Sequence, residues 1–167
     1  MLVLAVDVGI RACGYVLCET CGRDIRLVRE GQITPPPRET MPARLGLIYD
    51  ELDRLVKEFV PQAVVVETLY SHYRHPATLG VLAQVKGVVA MLAQRNKLRY
   101  CEFSTTRARK SFMGSGSADS GRVKKMAENL TARKFMSVHT ADAFSLVSAF
   151  AAEVATKQLR NAAGQKV

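Results

Sequence analysis

Four side chains have the types and positions to hold divalent cations: Asp7, Glu67, His139 and Asp142. Asp7 closes the apolar run Leu2–Val6, and Glu67 closes the run Ala63–Val66. A carboxylate directly after a buried strand is costly to desolvate unless it is paired or bound to a cation. Taken singly, each also reads as a solvated acid at a strand end. His139 and Asp142 are one helical turn apart and share a face. Their segment is otherwise lined by Ala141, Ala143, Phe144, Leu146 and Val147, so an acid there needs a partner. His139 alone reads as a helix-start or surface histidine; only its spacing from Asp142 raises it. Together the four make an oxygen-rich set with one nitrogen, suited to Mg²⁺ or Mn²⁺.

The elements that must position them can be traced along the chain. Residues 2 to 7, 14 to 18 and 25 to 33 read as a three-stranded meander around the turn Cys21-Gly22-Arg23-Asp24. After Pro35-Pro36-Pro37, the apolar positions Leu45, Ile48, Leu52, Leu55, Val56 and Phe59 step as an amphipathic helix that Pro61 ends. A strand over Ala63–Val66, a helix over Pro76–Arg95 and a strand over Leu98–Phe103 follow. Within that helix, Gly80, Ala83, Gly87 and Ala90 form a stripe of small residues, for close packing within the chain or against a second copy. From Thr105 to Lys134 the composition turns to basic residues and glycines, a segment expected to lie over nucleic acid. An Ala-rich helix spans Val138–Gln158. The order is α/β, expected to form one domain over 1–158 with a frayed polar tail over 159–167.

The 167 residues are 48% hydrophobic, enough for one substantial core. Lys and Arg number 24 against 15 Asp and Glu, a formal charge of +9 with a pI near 9.7. Such a surface attracts polyanions, nucleic acid foremost, although solvated helix faces can also carry such charge. No unbroken apolar run reaches the ~18 residues of a membrane span. The expectation is a soluble, cytoplasmic protein without a membrane partner. Cys18 and Cys21 have the spacing of half a zinc knuckle, but Cys13 and Cys101 supply no second pair. Reduced thiols around a hairpin turn are the better reading.

Val6-Asp7-Val8-Gly9-Ile10-Arg11-Ala12-Cys13-Gly14-Tyr15, Val65-Val66-Glu67-Thr68-Leu69-Tyr70, Gly114-Ser115-Gly116-Ser117-Ala118 and His139-Thr140-Ala141-Asp142-Ala143 resemble the successive motifs of RuvC-type Holliday junction resolvases. The resemblance runs in order from residue 2 to about residue 155. The first motif alone is shared with sugar-kinase and actin-like phosphate loops, folds that need two such domains. The resemblance implies a ribonuclease H-like fold, a five-stranded mixed sheet in which the antiparallel meander is joined by two parallel strands. It also implies a homodimer, two divalent ions per subunit, and paired symmetric nicks at a four-way DNA junction that leave 5′-phosphate and 3′-hydroxyl ends.

By motif position Asp7, Glu67, His139 and Asp142 fall on the catalytic positions, and Tyr70 on an aromatic that stacks on bases. The role of His139, metal ligand or group that deprotonates the nucleophile, stays open. Relatives carry a lysine two residues after the Ala-acid pair of the glycine loop, where this chain has Ser120 and then Gly121. Arg109, Lys110, Ser117, Arg122 and Lys124 are the remaining candidates for gripping DNA. Three other readings are an RNA-processing nuclease of the same fold, an actin-like ATPase fragment and a catalytically silent DNA-binding module. Whether a branch-migration motor is a partner is not legible in the sequence.

Overall fold

Alternation along the strands decides which side chains meet. In β1 (Leu2–Asp7), Leu4 and Val6 enter the core on one face of the sheet while Val3 and Ala5 enter on the other. Asp7 continues the Val3–Ala5 face. The computed structural model describes residues 1–69 and 76–164. β2 (Cys13–Cys21) and β3 (Asp24–Ile33) form the expected hairpin, with Cys21 opposite Asp24 and Gly22 at φ +59° in the turn. α1 (Met41–Phe59) then leads to β4 (Ala63–Glu67), α2 (Pro76–Arg95) leads to β5 (Arg99–Phe103), and three further helices follow: α3 (Thr105–Met113), α4 (Ser120–Thr131) and α5 (Val138–Gly164).

The sheet order is β3-β2-β1-β4-β5. β1 pairs antiparallel with β2 and parallel with β4, and β4 pairs parallel with β5, giving the expected five-stranded mixed sheet. α1 and α2 cover one face through Ile48, Leu52, Leu55, Val85, Val89 and Leu92. α3, α4 and α5 cover the other through Ala108, Val123, Ala141, Phe144 and Phe150. This second face is the one onto which Asp7 projects.

Two stretches differ from the sequence reading. The basic segment 105–134, to which no regular structure was assigned, holds α3 and α4. Their apolar positions are too sparse to show a period: α3 buries Ala108, and α4 buries Val123 and Ala127. Both helices are set by side-chain caps, Ser104 accepting from the Arg107 amide and Asp119 from the Arg122 amide. The expected fraying after Gln158 is replaced by helix, since α5 runs on to Gly164. Leu159, Arg160 and Ala162 favour helix and extend it there with their side chains exposed, helped by the Glu153–Lys157 pair at 2.8 Å.

Among the described residues, most of the small-residue stripe of α2 has nothing packed on it, while Ala90 is half-buried. Gly80, Ala83 and Gly87 are exposed, and a Cβ on Gly80 or Gly87 would meet nothing within 4 Å. Among the described helices, α2 alone is long and apolar enough to cross a membrane by length and composition. Its Val85, Val89, Leu92 and Ala93 instead bury into the core.

Candidate active site

Asp7 and Glu67 are brought side by side by strand register. Val6 pairs with Val66 across the parallel β1–β4 ladder, so the two acids are the next residues of adjacent strands. Period-two alternation places Glu67 on the face of Ala63 and Val65, the same face as Asp7. Gly14 is the register partner of Asp7 on β2, and its missing side chain lets the first turn of α5 come down onto the sheet. His139 Nδ1 then lies 2.7 Å from Oδ2 of Asp7.

Asp142, one turn along α5, is held from a different direction. It accepts a hydrogen bond from Ser120 Oγ at 2.7 Å and lies 3.2 Å from Nη2 of Arg109. Arg109 reaches there from α3, anchored by Nη1 to the carbonyl of Ala118 at 2.7 Å and by Nη2 to Ser120 Oγ at 2.7 Å. Glu67 accepts from the hydroxyl of Thr105, at the start of α3. Each carboxylate is thus satisfied by protein donors. Among the described residues no three Asp, Glu, His or Cys side chains stand in ready-made metal geometry.

The electrostatics nevertheless describe a shortage of positive charge. Burial pushes the Asp7 carboxyl above its ordinary pKa of 3.8, partly opposed by the His139 hydrogen bond, and Asp142 pushes it further. Burial also raises Glu67, opposed by the Thr105 hydrogen bond, while Asp7 and Asp142 add like-charge repulsion. The bond to Asp7 raises the His139 imidazole, against the opposing effect of burial. Three mutually repelling carboxylates and an imidazole are a donor set that a hard divalent cation would neutralise, so the residues fit such a cation.

Beside the acids a cleft of about 570 Å³ is lined by Gly9, Ile10, Arg11, Ala77, Val81 and His139. Lys110, Ser117 and Arg122 are exposed around α3 and α4, and Lys124 is half-buried. Arg109 stands apart from them, turned inward onto Asp142. Tyr70 lies outside the described residues. Thr105 was missed by sequence reasoning, Gly14 stood there only as a motif residue without a role, and Ser120 was noted with Gly121 only where relatives carry a lysine. A hydroxyl at a helix start and a glycine opposite an acid carry no signal until the strands are paired.

The thiols take no part. Cys18 is buried and Cys21 exposed, on opposite faces of β2, so they cannot share a zinc ion. Cys13 donates to the carbonyl of Gly9 at 2.7 Å, and burial pushes its thiol up to about 11, so it stays a protonated brace of the turn after Asp7.

This sheet order, with two acids at the ends of adjacent parallel strands and a His–Asp pair on the covering helix, defines a ribonuclease H-like fold. Residues 3–150 match the family model described as crossover junction endodeoxyribonuclease RuvC, and the chain belongs to that family. It is 30% identical to the RuvC of Trichlorobacter lovleyi over 167 residues, which is 100% of this chain and 92% of the relative. It is 30% identical to that of Natranaerobius thermophilus over 130 residues, 78% of this chain and 80% of the relative. Among solved structures, Thermus thermophilus RuvC in complex with Holliday junction substrate aligns with a TM-score of 0.85 at 22% identity, over 94% of this chain and 96% of that one. The yeast mitochondrial Holliday junction resolvase Ydc2 aligns at 0.66 and 14%, over 99% and 84%. These two likenesses bear on the fold.

Proposed function

We propose that the protein is an endodeoxyribonuclease that resolves four-way DNA junctions by paired, symmetric nicks. The observation that carries this is Asp7 and Glu67 side by side on adjacent parallel strands of a RuvC-family sheet, with His139 of the covering helix 2.7 Å from Asp7. Bound Mg²⁺ or Mn²⁺, two per subunit, would supply a nucleophile from water and stabilise the leaving 3′-oxygen. Asp7, next to Glu67 across the β1–β4 ladder and repelled by Asp142, would hold the ions together with those two acids. His139 turns Nδ1 to Asp7 and lines the cleft, so its Nε2 would be the nitrogen that takes a proton from the attacking water. The 5′-phosphate end then stays with the cut strand.

Paired nicking asks for two sites related by a two-fold axis, hence a homodimer. The exposed small-residue stripe of α2 and the half-exposed Met91 beside it supply an apolar, closely approachable face for a second copy. Lys110 on α3, Ser117 between the helices, and Arg122 and Lys124 on α4 would contact the phosphate backbone, with Tyr70 stacking on an opened base. Cleavage of a mobile four-way DNA junction, a linear duplex and a structured RNA, each with Mg²⁺, tests the reading. Selective nicking of the junction in opposite strands supports it. Preference for structured RNA would replace the substrate while keeping the fold.

A further inference from the structure

We propose that Arg109, acting with Ser120, is a built-in competitor for the metal: it holds the Asp142 carboxylate as a counter-charge, which a divalent cation must displace. This rests on the metal-site reading above and adds a specific energetic role for two residues that are not ligands.

The geometry separates this contact from an ordinary surface ion pair. Both side chains are only 18% exposed, so water screens the pair weakly. Oδ1 of Asp142 lies 3.2 Å from Arg109 Nη2, and Oδ2 takes the Ser120 hydroxyl at 2.7 Å and the same Nη2 at 3.4 Å. Both carboxylate oxygens are therefore committed to protein donors. Arg109 is itself pinned, with Nη1 on the carbonyl of Ala118 and Nη2 on Ser120 Oγ, each at 2.7 Å. Its buried Nε has no partner among the described residues, so the guanidinium is placed by Asp142, Ala118 and Ser120 rather than by full satisfaction of its own donors. Its charge also reaches Asp7 and Glu67, lowering the cost of keeping three acids together. A cation arriving at Asp142 takes over that compensation. It must first break one charge-assisted pair and one hydroxyl bond, and it then faces a neighbouring guanidinium of like sign.

The consequence is that removing Arg109 should tighten metal binding, the opposite of what removing an assisting residue would do. Mn²⁺ titration of the full chain by calorimetry, without DNA, reads this directly. Arg109→Gln should bind Mn²⁺ roughly tenfold more tightly than wild type, the scale of one lost charge-assisted competitor. Ser120→Ala keeps the Arg109–Ala118 contact and should tighten binding by a smaller factor. In an Asp142→Asn background, Arg109→Gln should change the affinity by a clearly smaller factor, because the contest for that carboxylate is gone and only the longer-range charge effect on Asp7 and Glu67 remains. Unchanged or weaker Mn²⁺ affinity in Arg109→Gln overturns the proposal and leaves Arg109 as a pin for the glycine loop. If Arg109→Gln does not fold, Ser120→Ala decides by the same signs. Mn²⁺ binding that is equal in wild type and Asp7→Asn would instead overturn the metal-site reading itself, a failure distinct from that of the Arg109 competition.

Discussion

A Cβ added to Gly14 would fall 2.6 Å from the carbonyl oxygen of His139 and 2.6 Å from the amide nitrogen of Thr140. Both obstacles are backbone atoms of the first turn of α5, so relief requires the helix start to move off the sheet. Gly14→Ala should therefore pull His139 away from Asp7. Overpacking of this kind costs about 1–3 kcal/mol. Thermal unfolding should shift downward by several degrees, and nicking should fall by roughly tenfold or more, since small misplacements are amplified in catalysis. A variant that nicks like wild type would show that close approach at this point does not position the histidine.

The strands and the acids that end them were legible because β1 and β4 are buried on both faces and read as unbroken apolar runs. The helix α1 was legible because Ile48, Leu52, Leu55 and Val56 repeat at helical spacing and are buried as that spacing requires. α3 and α4 were not, because each buries only one or two side chains and owes its start to a capping residue. The acids and the histidine could be chosen by residue type and motif. The inward turn of Arg109 could not, because it depends on Ala118 and Ser120 arriving from a neighbouring loop. A basic residue in a basic segment reads as a phosphate contact, and nothing local distinguishes the one that faces a buried acid.

Metal-free protein should show the strain of its acids in the pH dependence of stability. Asp7 and Glu67 hold their protons to higher pH in the fold than their ordinary values of 3.8 and 4.5. Their favourable contribution is therefore complete below those values and is lost as pH rises through the raised ones. His139, raised by Asp7, acts in the same sense, its contribution being present below 6.5 and lost above the raised value. Without metal, Asp7→Asn should melt higher than wild type at neutral pH, because the variant has no carboxylate to desolvate there. The gap should close as acid protonates Asp7 in the wild type. Scanning calorimetry in chelator from pH 4 to pH 8 measures it, and a variant that melts lower at neutral pH contradicts the argument. Adding Mg²⁺ should raise the melting temperature of wild type and do so much less for Asp7→Asn.

The dimer reading places its contact on α2. Gly87 faces open space, so Gly87→Arg adds a charge there without disturbing the chain's own packing. Its helical neighbours Ala83 and Met91 are exposed on the same side. Sedimentation velocity at micromolar concentration should change from dimer to monomer, with the melting temperature shifted only by the lost association. Junction nicks should then become single and uncoordinated. A variant that stays dimeric would move the interface to another face.

The central claim is that Asp7, Glu67 and Asp142 hold divalent cations that cut junction DNA, with His139 acting on the attacking water. Its most direct test is Mg²⁺-dependent nicking of a mobile four-way junction by wild type and Asp7→Asn, with junction binding measured in parallel in chelator. The account predicts that wild type nicks opposite strands only with the metal. Asp7→Asn should lose at least ~10²-fold in nicking while binding the junction as tightly or more tightly, because the basic surface is intact and one negative charge is gone. Retained nicking by Asp7→Asn, or cleavage by wild type in chelator, would contradict it.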